Sequence, residues 1–219
     1  MLDDYLYDKH SRILQDLCRI IPRNWGQIQN DGMDKKLNLF QYRSIDALEK
    51  GIQPLQDSEQ NYFRRRWFIW QCSQIDEFLF YRNRNVFPNE NAKDKEYDIE
   101  FNEDVNLRFD VKGTIVPKSM SDGFTILDER KIIEFYYDNQ STGIRDHIQN
   151  RLFIVHHSFR KRERNMILRC HWDLKKIAYQ NFALSLSENT SFITYKGVKA
   201  KCIFIFESKN GLYYYHINS

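Results

Sequence analysis

Asp110 and Lys112 stand two positions apart in an alternating run of residues, and Asp98 stands in the alternating run before it. Side chains two apart on an extended strand share a face, so Asp110 and Lys112 project together. Mg²⁺ takes oxygen ligands and keeps several waters, so two carboxylates and a backbone carbonyl such as that of Val111 suffice to hold it. Such an ion polarises a phosphoryl oxygen and lowers the pKa of a bound water. A lysine on the same face orients that water and offsets the negative charge of the transition state. The chemistry these residue types suit is hydrolysis of a phosphodiester.

The triplet alone says little, because an acid followed two positions later by lysine occurs five times: Asp34-Lys35-Lys36, Asp110-Val111-Lys112, Glu129-Arg130-Lys131, Asp173-Leu174-Lys175 and Glu207-Ser208-Lys209. The first lies in a polar loop. Glu129 and Asp173 open segments with helical patterning, where residues two apart point away from each other. Glu207 ends a strand beside a hairpin turn, with no acid on the strand before it. Asp110 alone sits inside an alternating strand with an acid on its neighbour.

The elements around these residues follow from the apolar spacing. Tyr97, Ile99 and Phe101 alternate with acids, and Leu107, Phe109 and Val111 alternate with Arg108, Asp110 and Lys112, which predicts a hairpin with a polar turn at 102–106. A turn centred near Asp104 sets Asp98 opposite Asp110, and a slip of one residue would part them. Glu96 and Glu100 share the face of Asp98 and are its alternatives. Before the hairpin, Ser58 can cap a long helix reaching to about residue 83, packed through Tyr62, Phe63, Trp67, Trp70, Phe78, Leu79 and Tyr81. Its second half also carries Gln71, Gln74, Asp76 and Glu77.

After the hairpin, Pro117 ends the strand and 124–127 reads as a short third strand. Residues 128–139 read as a helix with Ile132, Phe135 and Tyr136 inward, although their β-branched and aromatic content also allows a strand. A loop at 140–143 and a helical turn at 144–149 follow, and the apolar run 152–155 suits a strand covered on both faces. Towards the ends of the chain, 2–21 has helical spacing stopped by Pro22. Residues 23–57 are weakly patterned, with one short helix from Ser44 to Gly51. Leu174, Ile177, Ala178, Phe182 and Leu186 give a helix over 172–187. Strands at 191–195, 198–206 and 212–217 form a meander turning at Lys196-Gly197 and Asn210-Gly211. The expectation is a single α/β domain over 1–219: a helical N-terminal extension (1–57), a core (58–157), and a C-terminal helix with a three-stranded meander appended (158–219).

Composition narrows the class. The chain has 219 residues, 42% hydrophobic and 15% aromatic, enough to fold without disulfides or a structural metal. A net charge of +3 is only mildly basic, but the positive residues cluster at Arg64-Arg65-Arg66 and at Arg160-Lys161-Arg162 with Arg164. Each run is either a solvated face or a set of phosphate contacts. The four cysteines form no Cys-x-x-Cys, and no secretory leader or membrane-spanning apolar run is present. A cytoplasmic protein with reduced thiols is expected. Phosphate-loop, dinucleotide and nucleophile-elbow motifs are missing. His156-His157 and Cys170-His171 lack the repeated spacing of a zinc site. The aromatic tail could stack on bases, though such stripes more often pack in a core or an oligomer surface.

Residues 58–157 resemble the core of the PD-(D/E)xK superfamily of restriction-type and repair nucleases, a restriction-endonuclease-like arrangement of helix, β-hairpin, strand, helix and strand. The residues that carry the resemblance are Asp98, Asp110 and Lys112. It departs from the family at Tyr97, where a proline is usual, and in the short interval of about 11 residues between the two acids. The resemblance implies a Mg²⁺-dependent endonuclease, with Mn²⁺ as substitute, acting on DNA rather than RNA. Asp98, Asp110 and the Val111 carbonyl would be metal ligands and Lys112 the catalytic lysine. Glu77 on the preceding helix would be a further acid, with Gln74 and Asp76 competing for that place. Arg145, in the loop before the second helix, would contact phosphate. Against DNA, Arg64, Arg65, Arg66, Arg160, Lys161 and Arg162 would add affinity through backbone phosphates. A homodimer is compatible with this reading. The alternative is a nuclease-like fold without hydrolysis, serving as a nucleic-acid-binding or protein-interaction module.

Overall fold

A computed structural model describes residues 4–21, 31–91, 96–140, 149–186 and 191–219. The chain opens on α1 (Asp4–Ile20), α2 (Asp31–Asp34) and α3 (Ile45–Ile52). Ser44 caps α3, its hydroxyl accepting the Ala47 N–H at 3.2 Å. The long helix α4 spans Asp57–Tyr81. It begins before Ser58, because the Glu59 carboxylate accepts the Gln56 N–H at 3.1 Å and closes the first turn one residue ahead of it. Apolar residues ring α4, with Phe63, Trp67, Phe68, Ile75, Leu79 and Phe80 all buried, as expected of a helix covered on most sides. The segment that the sequence pattern left without a role supplies much of that cover. Leu39, Leu48 and Ile52 are buried in the same core, the Trp67 indole N–H donates to the Tyr42 carbonyl at 2.8 Å, and the Tyr62 hydroxyl donates to Asp34 at 2.7 Å.

The remaining elements are β1 (Val86–Pro88), β2 (Ile99–Phe101), β3 (Arg108–Ile115), α5 (Glu129–Gln140), β4 (Arg151–Ser158), α6 (Asn165–Leu168), α7 (Trp172–Ser185), β5 (Ile193–Tyr195), β6 (Val198–Glu207) and β7 (Tyr213–Ile217). They form an α/β structure with a mixed seven-stranded sheet in the order β1-β2-β3-β4-β6-β5, β7 also pairing with β6. β3, β4 and β6 run parallel and the other pairs antiparallel. One face carries α1, α4, α6 and α7 over Phe109, Val111, Leu152, Ile154, Ile203 and Ile205. The other carries α5, whose Ile132, Ile133, Tyr136 and Tyr137 cover Phe153, Val155, Cys202 and Phe204. Among the described residues no helix is long and apolar enough to cross a membrane.

Several expectations are corrected. The meander is not an appendage, since β6 pairs with β4 from Arg151↔Ala200 to Ser158↔Glu207 and is an interior strand of the sheet, with β5 and β7 on its other edge. β1 is an additional edge strand, its Pro88 placed where an edge tolerates the missing N–H. Residues 124–127 do not form a strand. The Asp128 carboxylate accepts the Thr125 N–H at 3.0 Å and winds Ile126–Asp128 into a 3-10 turn, leaving Phe124 buried as a plug. On α5, Ile133 and Tyr137 turn inward where Phe135 was expected. On α7, Ile177 is 51% exposed, because Trp172, Lys175, Tyr179 and Phe182 face the core. The loop and turn containing Arg145 lie outside the described residues.

Candidate functional site

The hairpin turn fixes the geometry of the candidate site. Asn102 and Glu103 both take positive φ, 58° and 54°, and the Asp104 N–H closes back on the Phe101 carbonyl at 3.0 Å. That is a primed turn, and the 3-10 turn Val105–Leu107 follows it, the Leu107 N–H closing on the Asp104 carbonyl at 2.8 Å; the two together set the register. The paired register is Ile99↔Phe109 and Glu100↔Arg108. The ladder does not continue to an Asp98–Asp110 pair, and the two acids meet instead through their carboxyls, which come within hydrogen-bonding reach. The Asp98 N–H donates to the Phe109 carbonyl at 2.9 Å.

At Asp98 the strand β2 has already ended, and a side chain takes over its ladder position. Asp98 Oδ2 accepts the Val111 N–H at 2.8 Å. In an antiparallel pair the N–H and C=O of one residue project to the same edge, so the Val111 carbonyl points towards this gap as well. Asp110 is 1% exposed. Its Oδ1 receives the Lys112 ammonium, and its Oδ2 lies 3.5 Å from Arg151 Nε. Arg151 opens β4 directly across from Asp110, its guanidinium 4.9 Å from the centre of the Tyr137 ring on α5. The end of α4 closes the site from the other side, where the Tyr81 hydroxyl donates to the Asp98 carbonyl at 3.1 Å and Glu77 lies one turn earlier.

The carboxyls affect one another. Burial, then the charge of Asp98, pushes Glu77 up to about 8, with Asp76 and Asp110 adding to the rise and Lys112 opposing it. Asp98 is pushed up to about 6, by burial first and by Asp110, whose carboxyl lies within hydrogen-bonding reach. Lys112 and the Val111 N–H pull Asp98 the other way. At neutral pH Glu77 therefore keeps a proton that a nearby cation would release.

Among the described residues no group of three or more His, Cys, Asp or Glu is arranged to hold a metal by itself. Two carboxylates and a carbonyl facing a partly open gap are nonetheless a donor set of the kind Mg²⁺ accepts, since it retains several waters. The residues fit that ion better than they fit zinc, which favours a closed tetrahedral shell.

The competing residues are engaged elsewhere. Glu100 pairs with Arg108. Asp76 projects towards α7, about 100° around α4 from Glu77, and holds the buried Lys175 ammonium at 2.7 Å and the Tyr179 hydroxyl at 2.8 Å. Gln74 stays beside Glu77, its amide 3.4 Å from the carboxylate.

The arginines of the first run each have a partner within the chain. Arg64 makes two 2.7 Å bonds to Glu49, Arg66 reaches Asp34 at 3.2 Å, and Arg65 is buried beside the Tyr62 ring. The second run is at the wrong end of the sheet to flank Asp110. Arg160, Lys161 and Arg162 follow Ser158, seven residues along β4 from Arg151 and thus roughly 23 Å away. Sequence reasoning missed Arg151, Tyr137 and Tyr81. A charged residue opening the apolar run 152–155 was the one available signal.

No protein-family model, curated protein or solved structure matches this chain. A functional reading therefore rests on the site itself.

Proposed function

We propose that this protein is a metal-dependent phosphodiester hydrolase of the PD-(D/E)xK type, an endonuclease acting on DNA. The observation that carries the reading is the convergence of the Asp98 and Asp110 carboxyls just before the start of β2, with Lys112 bound to Asp110 and the Val111 N–H to Asp98. The order α4, hairpin β2–β3, α5, β4 supports a restriction-endonuclease-like core. Asp98, Asp110 and the Val111 carbonyl would hold Mg²⁺ or Mn²⁺, which supplies charge neutralisation at the phosphoryl group and a more acidic water. Lys112, about one-third exposed, reaches the solvent side and offsets charge on the phosphoryl oxygens. Glu77 holds a proton beside the acids until the local charge changes. The four free, buried cysteines suit a reducing cytoplasm.

A second reading draws on Arg151. With Lys112 and Arg151 both at Asp110 and Glu77 protonated, two cations balance Asp98 and Asp110 without an added ion. That favours a nuclease-like nucleic-acid-binding module that does not hydrolyse.

Cleavage of supercoiled plasmid with Mg²⁺ or Mn²⁺ separates the two. Asp110→Ala and Lys112→Ala are each expected to lower the rate by about 100-fold or more, and EDTA should abolish it. Cleavage that survives both substitutions or EDTA overturns the hydrolase. Salt-sensitive DNA binding without Mn²⁺ binding or cleavage establishes the second reading.

A further inference from the structure

At the carboxyl ends of β4 and β6 lies a cleft of about 380 Å³ lined by Phe159, Arg160, Lys161, Arg164 and Lys209. Four cations face it, and the carboxylate at its base is Glu207, 1% exposed. Glu207 accepts from Arg164 Nε at 2.8 and 2.6 Å and lies 3.5 Å from Arg160 Nη1. One carboxylate against four cations leaves an excess of three positive charges on a small concave surface.

The local fold holds that excess in place. Ser158 donates its hydroxyl to Glu207 at 2.7 Å and accepts the backbone N–H groups of Arg160 and Lys161 at 3.2 and 3.5 Å. The Ser158 N–H is itself bound by Asn165 Oδ1 at 2.7 Å. The chain is thereby folded so that consecutive basic residues line one side. The opposite side is the turn after β6, where Gly211 takes φ +83° and lies beside the Arg160 guanidinium. Arg164 is further fixed by a 3.1 Å bond to the Tyr213 hydroxyl. Lys161 and Lys209 are exposed at the rim, and Glu163 on the same turn does not line the cleft.

We propose that this cleft binds a terminal phosphate or polyphosphate group, carried by a free nucleotide or by the phosphorylated end of a nucleic-acid strand. Phosphate concentrates two or more charges in a small volume and matches the exposed Arg160 guanidinium with the Lys161 and Lys209 ammonium groups at the rim, while Arg164 adds its charge from the Glu207 side. An acidic peptide would distribute the same charge over a groove longer than five residues provide. The site is independent of the proposed hydrolysis, being at the far end of β4 from Asp110.

The test is calorimetric titration in EDTA with pyrophosphate, ATP, AMP, citrate, and an oligonucleotide with and without a 5′-phosphate. The variant is the double substitution Lys161→Ala, Lys209→Ala, chosen because both lysines are exposed and the Glu207 ion pairs stay intact. Pyrophosphate and ATP are expected to bind more tightly than AMP, and the double variant should weaken them by about tenfold or more. A preference of about tenfold for the 5′-phosphorylated oligonucleotide over its 5′-hydroxyl form assigns the site to strand ends. Tight ATP binding without that preference assigns it to free nucleotides. The proposal is overturned if no phosphate binds at millimolar concentration, if citrate binds as well as pyrophosphate, or if the double variant binds unchanged. The titrations read binding in EDTA, where no cleavage occurs, so their outcome stays separate from that of the hydrolase, and binding by Asp110→Ala should match wild type.

Discussion

Asp76 and Glu77 are consecutive residues on α4, yet they face regions of opposite character. Asp76, 1% exposed, meets the Lys175 ammonium and the Tyr179 hydroxyl in the core between α4 and α7. Glu77 meets Asp98 and Asp110, with Lys112 as the opposing cation. Burial acts on both, and the neighbouring charge decides what the group becomes. A carboxylate given its own ammonium and hydroxyl ties two helices together. A carboxylate set beside two others becomes a group that exchanges protons in the neutral range. A buried charge with complete partners therefore reads as structure, and a buried cluster of like charges reads as a site.

The largest expected effect breaks the structural half of this comparison. Asp76→Ala leaves the buried Lys175 ammonium without its carboxylate and should cost about 3–5 kcal/mol in a urea melt. Glu77→Gln replaces a group already protonated at pH 7 and should change stability by less than about 1 kcal/mol. Equal losses in the two variants would dissolve the distinction.

Next in size is the pH dependence. Glu77 rises from 4.5 to about 8 and Asp98 from 3.8 to about 6 on folding. The folded protein then binds more protons than the unfolded chain between those values, so raising the pH through this window favours unfolding. Without metal, stability should fall between roughly pH 4 and pH 8, by up to about 1.4 kcal/mol per pH unit for each group and so up to about 2.7 where the two windows overlap. Glu77→Gln should flatten the slope and Mn²⁺ should reverse it, both readable from Tm against pH. A flat profile in EDTA would contradict the electrostatics of the site.

Two faces of β3 sharpen the contrast further. A Cβ on Gly113 would stand 2.2 Å from the Arg169 guanidinium, which is buried on the helix-rich side. Gly113→Ala should therefore cost about 1–3 kcal/mol. Lys112→Met, one residue away on the other face, leaves Arg151 as the cation at buried Asp110 and should cost about 1–2 kcal/mol, while removing plasmid cleavage. The smallest effect belongs to Arg64→Ala, about 0.5–1 kcal/mol in a thermal melt. DNA affinity and its salt dependence should be unchanged, because that arginine is bound to Glu49.

What could be read from the sequence was local and periodic. The hairpin and the nearness of Asp98 to Asp110 followed from two alternating runs and one turn, although the strand pairing stops at Ile99↔Phe109, and the helices over 4–20, 45–52 and 129–140 followed from caps and spacing. What could not be read depended on residues far apart in the chain. The pairing of β4 with β6 joins positions about fifty residues apart, so the last strands looked like an appendage. Lys175 appeared to belong to the triplet with Asp173, but its partner Asp76 lies 99 residues earlier. The arginines at 64–66 read as a basic patch because Glu49 and Asp34 sit in a segment with no clear pattern. β1 was hidden by its length of three residues and by Pro88.

The place of β6 in the sheet has a consequence for how the chain is made. β4 is buried along its whole length, from Arg151 to Ser158, and one of its two edges is covered only by residues 200–207. During synthesis that edge stays unpaired until about fifty further residues have left the ribosome, several seconds at ordinary elongation rates. An apolar strand with a free edge is a template for pairing with other chains. A nascent chain halted at residue 190 should therefore depend on chaperones or pellet, whereas one released after β7 should stay in solution.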